Sequence, residues 1–174
     1  MGVRIAEWML GAVILLSAPG IVSAVDDKQK AAVASEEDGK YLDAEGSPTF
    51  NIQNDGTVDW YTFSGYRRYH SDCHVCHGPD GVGSSYAPAL AESMKTIDYA
   101  SFLQIVAEGR KNVGGGKENV MPAFGDNKNV YCYLDDIYVY LRARAVGAAP
   151  RGRPPKKADK PQGAKDSEAS CMGG

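Results

Sequence analysis

Cys73-His74-Val75-Cys76-His77 places two thiols and an imidazole within five consecutive residues. Thiols at this spacing can each form a thioether to one vinyl group of the same porphyrin. The imidazole that follows is then held under the iron as its proximal ligand. The motif predicts one covalently attached haem c, with Cys73 and Cys76 as its thioether residues and His77 on the iron. Two other uses of a C-x-x-C pair fit less well. A zinc site needs two more soft ligands, and no second C-x-x-C or H-x3-H follows. A thioredoxin-like pair sits in a strand-helix unit of an α/β pattern, and no such pattern surrounds this motif.

The rest of the chain must position that group and set its compartment. Arg4, an apolar run from Trp8 to Leu16, the Pro19-Gly20 break and the small residues Val22-Ser23-Ala24 read as a secretory signal peptide, residues 1–24. The run is short of the roughly 20 apolar residues of a membrane span. No other stretch could cross a bilayer, so the mature chain is expected without a transmembrane segment. Covalent haem and export together point to the periplasm. Residues 25–59 form an acidic arm, with nine acids against three lysines from Asp26 to Asp59. Residues 60–146 balance nine acids with nine bases, and a compact haem domain fits there. Residues 147–174 are Pro-, Gly-, Ala- and Lys-rich, with six bases and three acids. Such a tail buries too little apolar surface to fold alone. The net charge of -3 hides this segregation, and nothing in it predicts a nucleic-acid partner.

Periodicity predicts three helices. In 62–73, Gly65, Tyr69 and Cys73 recur every four residues and share one face. Gly65 would admit another helix at close range. Tyr99–Glu108 has Asp98 as its N-cap and Gly109 as its stop. In 129–145, Val130, Leu134, Ile137, Tyr138 and Leu141 keep a helical period. Arg142 and Arg144 suit its C-terminal dipole end. No stretch shows strand alternation. The arm reads as extended, partly packed through Tyr41, Leu42, Phe50 and Ile52. Two cysteines remain after haem attachment, Cys132 and Cys171. An even remainder in an exported chain suggests a disulfide, which would staple the tail across the haem domain. Two free thiols, or pairing of Cys171 between molecules, are the alternatives.

Gly65-x3-Tyr69-x3-Cys73, the motif itself, Ala87-Pro88-Ala89-Leu90, Met121-Pro122-Ala123-Phe124-Gly125 and Ile137-x2-Tyr140-Leu141 together resemble class I cytochrome c. The resemblance covers Trp60 to about Val146. It implies an all-α fold with helices wrapped around one haem, an irregular N-terminal arm and an irregular C-terminal tail. It implies that the terminal helices cross at Gly65, Tyr69, Ile137 and Tyr140. It carries onto Pro88 the carbonyl that accepts a hydrogen bond from His77, orienting the ring and making it more basic. In this context Met121 is the expected sixth iron ligand. Met94, seventeen residues past His77, is the alternative and reads better as core. Met172 lies in the tail, and His70 and His74 lie too near the motif to reach the far face. Trp60, Tyr61, Phe63, Tyr66, Tyr86, Tyr99 and Phe124 are candidates for haem contact or plain packing. A His/Met pair fills both axial positions and raises the potential. That argues for electron transfer and against catalysis at the iron.

The 129–145 text, the acidic arm and the second cysteine pair are similar to the four-cysteine cytochromes of methanol metabolism. That resemblance implies electron donation by a pyrroloquinoline quinone (PQQ)-dependent methanol or alcohol dehydrogenase. Another c-type cytochrome or a terminal oxidase would be the acceptor. The competing readings are a general periplasmic shuttle, a ligand sensor with a labile sixth position, and a structural module with incidental haem.

Overall fold

The computed structural model describes residues 33–114 and 117–173. The expected signal peptide lies outside the described residues. Among them, no helix is long and apolar enough to cross a membrane.

Asp59 starts helix α1, Trp60–Arg68. Its Oδ1 accepts from the Thr62 amide at 2.8 Å and its Oδ2 from the Thr62 hydroxyl at 2.6 Å. The helix continues through a wider π turn, Tyr69–Cys73, into α2, His74–His77. Such bulges gather at functional sites, and this one ends on the first motif cysteine. After α3, Leu90–Ser93, comes α4, Tyr99–Glu108. Asp98 caps α4 by accepting from the Ser101 amide at 2.7 Å.

The closing helix differs from its periodicity. It splits into α5, Lys128–Tyr131, and α6, Leu134–Ala145. Tyr133 leaves the helical region at φ -130°, ψ 21°. The Arg68 guanidinium lies 3.5 Å over its ring. The break occurs beside Cys132, which is bonded to Cys171. Apolar periodicity survives such a break because both pieces still face one core.

Helices α1 and α6 cross where Gly65 stands. A Cβ there would lie 1.8 Å from the Asp136 carbonyl oxygen and 2.8 Å from Tyr140 Cβ. The crossing requires glycine for want of space. Tyr69 and Tyr140 pack beside it with ring centroids 5.6 Å apart. On one side, Tyr69, Met94, Phe102, Val106, Ile137 and Leu141 form the main core. On the other, Phe50, Ile52, Val58, Phe63, Val139, Ala143 and Ala149 form a second. Arm and tail thus cover the far faces of the same two helices.

Arm and tail are more regular than their composition suggests. The arm carries an antiparallel sheet of β1, Ser35–Glu37, β2, Lys40–Leu42, and β3, Pro48–Thr49. Asp38 and Gly39 join β1 to β2 with φ 47° and 73°, the left-handed pair that two-residue hairpins favour. A second hairpin pairs β4, Arg110–Gly114, with β5, Lys117–Met121. These strands correct the expectation of none. Phe50 and Ile52 are buried as expected, whereas Tyr41 and Leu42 are only half-buried. The tail runs beside Val58, whose amide donates to the Lys156 carbonyl while its carbonyl accepts from Ala158. It ends in α7, Gln162–Met172, joined to the α5–α6 break by the Cys132–Cys171 disulfide.

Candidate haem site

The π turn and α2 present Cys73 half-buried and Cys76 exposed. His77 is 7% exposed, and its Nδ1 lies 2.9 Å from the Pro88 carbonyl oxygen. A carbonyl only accepts, so Nδ1 carries the proton and Nε2 keeps its lone pair.

The loop that brings Pro88 there is closed by backbone geometry. The Gly83 amide donates to the His77 carbonyl at 2.7 Å, and the Ser84 hydroxyl to the Cys76 carbonyl at 2.5 Å. Gly83 sits at φ 84°, where a Cβ would come within 2.8 Å of the Ala89 nitrogen. The Tyr69 hydroxyl donates to the Gly78 carbonyl at 2.5 Å, tying the π turn to the residue after the motif.

The remaining candidates separate by environment. His70 and His74 turn their Nδ1 atoms to the Tyr66 and His70 carbonyls, at 2.8 and 2.7 Å. Met94 is buried in the main core. Met172 ends α7 on the tethered tail. Met121 is half-buried against the main core, as the last residue of β5 opposite Arg110. Phe63 belongs to the second cluster, and Trp60 packs against it. Lys157 lies over both rings, so the tail occupies that face. Tyr99 donates its hydroxyl to Asp135, Tyr66 packs edge-on to Tyr140, and Phe124 lies against the main core. Tyr86 is 77% exposed and Val75, inside the motif, 72%.

Asp80 had no assigned part in the sequence reading. It is buried at φ 56° in the Pro79-Asp80-Gly81 turn. Its carboxylate accepts from the Gly152 amide at 3.0 Å and the Tyr140 hydroxyl at 3.3 Å. Arg151 stands 3.4 Å away, and the Asp80 carbonyl accepts from Arg144 at 3.2 Å. Burial alone would raise this carboxyl; the Gly152 amide, Arg151, His70 and Arg144 outweigh it and hold it below the ordinary value. One residue therefore docks the tail on the loop after the motif. A Pro-Asp-Gly turn is visible in sequence, but its partners, up to 72 residues away, are not.

The donor set fits an iron already held in a porphyrin. It offers two cysteine sulfurs on one turn and one imidazole whose Nδ1 is engaged by Pro88, leaving Nε2 available. Among the described residues, no cluster of three or more His, Cys, Asp or Glu side chains could hold a bare metal ion.

Fold and motif together define a class I c-type cytochrome, and the chain belongs to that family. It is accordingly an electron-transfer protein, not an enzyme, and carries covalently bound haem c. The family model described as cytochrome C oxidase, cbb3-type, subunit III, matches residues 63–141. The chain is 57% identical to the c-type cytochrome XoxG of Methylobacterium extorquens AM1. That crystal structure superposes with a TM-score of 0.76, over 88% of this chain and 94% of that one. It is 56% identical to cytochrome c-553I of Paracoccus denitrificans over 79% of its own length, a match that spans 61% of that relative. Cytochrome c-555 of Methylococcus capsulatus is 34% identical, over 70% of this chain and 86% of that relative.

Proposed function

We propose that this cytochrome takes single electrons from a PQQ-dependent methanol or alcohol dehydrogenase in the periplasm and passes them to another cytochrome or a terminal oxidase. The observation that carries the donor assignment is the 57% identity to XoxG over 88% of this chain. The four-cysteine pattern and the text of α5 and α6 support it. In this reading Cys73 and Cys76 hold the haem by thioethers, and His77 and Met121 are the axial ligands. Residues 60–146 form the haem-bearing unit, wrapped by the arm and the tail. Residues 1–24 are removed on export.

The bound haem supplies a one-electron Fe(III)/Fe(II) couple. The chain's part is to hold it closed. The Pro88 carbonyl takes the His77 Nδ1 hydrogen bond, which would leave Nε2 to hold the iron and make the imidazole a stronger donor. Met121 would offer its thioether sulfur to the iron, a ligand that favours Fe(II). Held by both residues, the iron would have no open position for a substrate, which suits electron transfer rather than catalysis. The test is to mix the oxidised cytochrome with purified PQQ-dependent methanol dehydrogenase and methanol, and to follow haem reduction. Reduction well above that of an unrelated c-type cytochrome, weakening as salt screens the contact, is expected. A rate equal to the unrelated cytochrome's would refute the donor assignment.

A further inference from the structure

Met121 is carried by a clasp at the C-terminal end of α4. That helix stops at Gly109, with φ 75° and ψ -178°, a conformation essentially restricted to glycine. A Cβ on Gly109 would stand 2.6 Å from the Met121 carbonyl oxygen, 2.9 Å from the Pro122 carbonyl carbon and 2.8 Å from the Ala123 nitrogen. All three are backbone atoms, so no side-chain rotation relieves the overlap. One turn on, the Phe124 amide donates to the Val106 carbonyl at 2.9 Å and the Gly125 amide to the Ala107 carbonyl at 3.0 Å. A Cβ on Gly125 would meet that same Ala107 oxygen at 3.0 Å. Arg110, next after Gly109, is the register partner of Met121. Residues 121–125 are therefore docked along the end of α4 through two glycines.

We propose that Gly109 is a positioning residue for the sixth iron ligand: its missing Cβ lets the Met121–Ala123 backbone seat on α4 and keeps that iron position closed. The inference rests on Met121 being the ligand. An alanine at 109 brings both a conformation it does not adopt and an overlap with the segment that carries the sulfur. Residue 121 must then back away from α4, and the open fraction of the sixth position rises. The apparent affinity of an external ligand rises in proportion to that fraction.

The experiment uses the haem-loaded protein and two readouts. One is the far-red charge-transfer absorption of methionine-ligated ferric haem. The other is imidazole binding to the ferric form. Gly109→Ala is expected to weaken the band and tighten apparent imidazole binding about tenfold, the effect of strain near the low end of its usual range. Gly125→Ala, with one contact at 3.0 Å and no left-handed backbone, is expected to give about threefold. Gly46→Ala is the strain control, because Gly46 has φ 79° with nothing within 4 Å of its Cβ position. It should leave both readouts unchanged. If Gly109→Ala yields no folded haem protein, Gly125→Ala decides. Wild-type readouts in the clasp variants that fold would overturn the proposal, and so would an equal response in Gly46→Ala. Met121→Ala separates the two layers. Persistence of the band in that variant overturns the ligand assignment. Loss of the band there, with the clasp variants unchanged, overturns the positioning role alone.

Discussion

Replacing Cys171 by serine tests whether the disulfide holds the tail or merely decorates it. The bond closes a loop with a sequence separation of 39. Constraining the unfolded chain over that span is worth about 4 kcal/mol in the chain-entropy account. For a chain of this size each kcal/mol shifts the midpoint by roughly 2–4 °C, so a fall in Tm of about 8–16 °C is expected. The native side points the same way. Ala164 is the one buried residue of α7, and an isolated helix of eleven residues is marginal in water. Its other fastenings include the Gly163 amide to Asp38 and polar contacts of Glu168 with Lys160 and Tyr133. Cys171→Ser should therefore lose helical circular dichroism equal to about one short helix before the cooperative transition begins. Guanidinium unfolding followed by far-UV circular dichroism measures both effects. Cys132→Ser and the double variant should match the single one, since either removes the same bond. A loss below about 1 kcal/mol, with α7 still helical, would refute the reasoning.

Two further outcomes follow from the crossing of α1 and α6. Gly65→Ala forces the helices apart at the Asp136 carbonyl and should cost about 3 kcal/mol, the upper end of ordinary overpacking, in denaturant unfolding; a change under about 0.5 kcal/mol would mean the crossing is looser than it looks. Burial lifts the Asp136 carboxyl from 3.8 to about 7, against a hydrogen bond from Ser64. Between those values it is protonated in the fold and ionised when unfolded, so its contribution to stability declines as pH rises from about 4 to about 7. Asp136→Asn should remove a slope of at most about 1.4 kcal/mol per pH unit in that window. Parallel stability–pH curves for wild type and variant would contradict the assignment.

Much of the frame was legible because it depends on local chemistry. Asp98 reads as a cap, Gly109 as a stop and Gly65 as a crossing point because each expresses a backbone or steric rule within a few residues. The arm's hairpin was also written in the sequence, as Asp38-Gly39, but its strands are three residues long and too short to alternate. The break at Tyr133 was hidden because α5 and α6 keep their apolar residues on one core.

The sequence by itself determined the chemistry: two thiols and an imidazole at the spacing of one porphyrin, with a spare cysteine pair beyond them. Covalent attachment demands those atoms within a few bonds of one another, so short-range order is sufficient. Only the tertiary structure decided which distant groups meet around the motif. His77 meets Pro88 because the Gly78–Gly83 loop folds back. Met121 is seated by a glycine twelve residues earlier because α4 ends against it. Asp80 gathers Tyr140, Arg144, Arg151 and Gly152 from distant segments. Those contacts join groups whose residue types alone do not select a partner, and the packing of α1 against α6 brings them within reach.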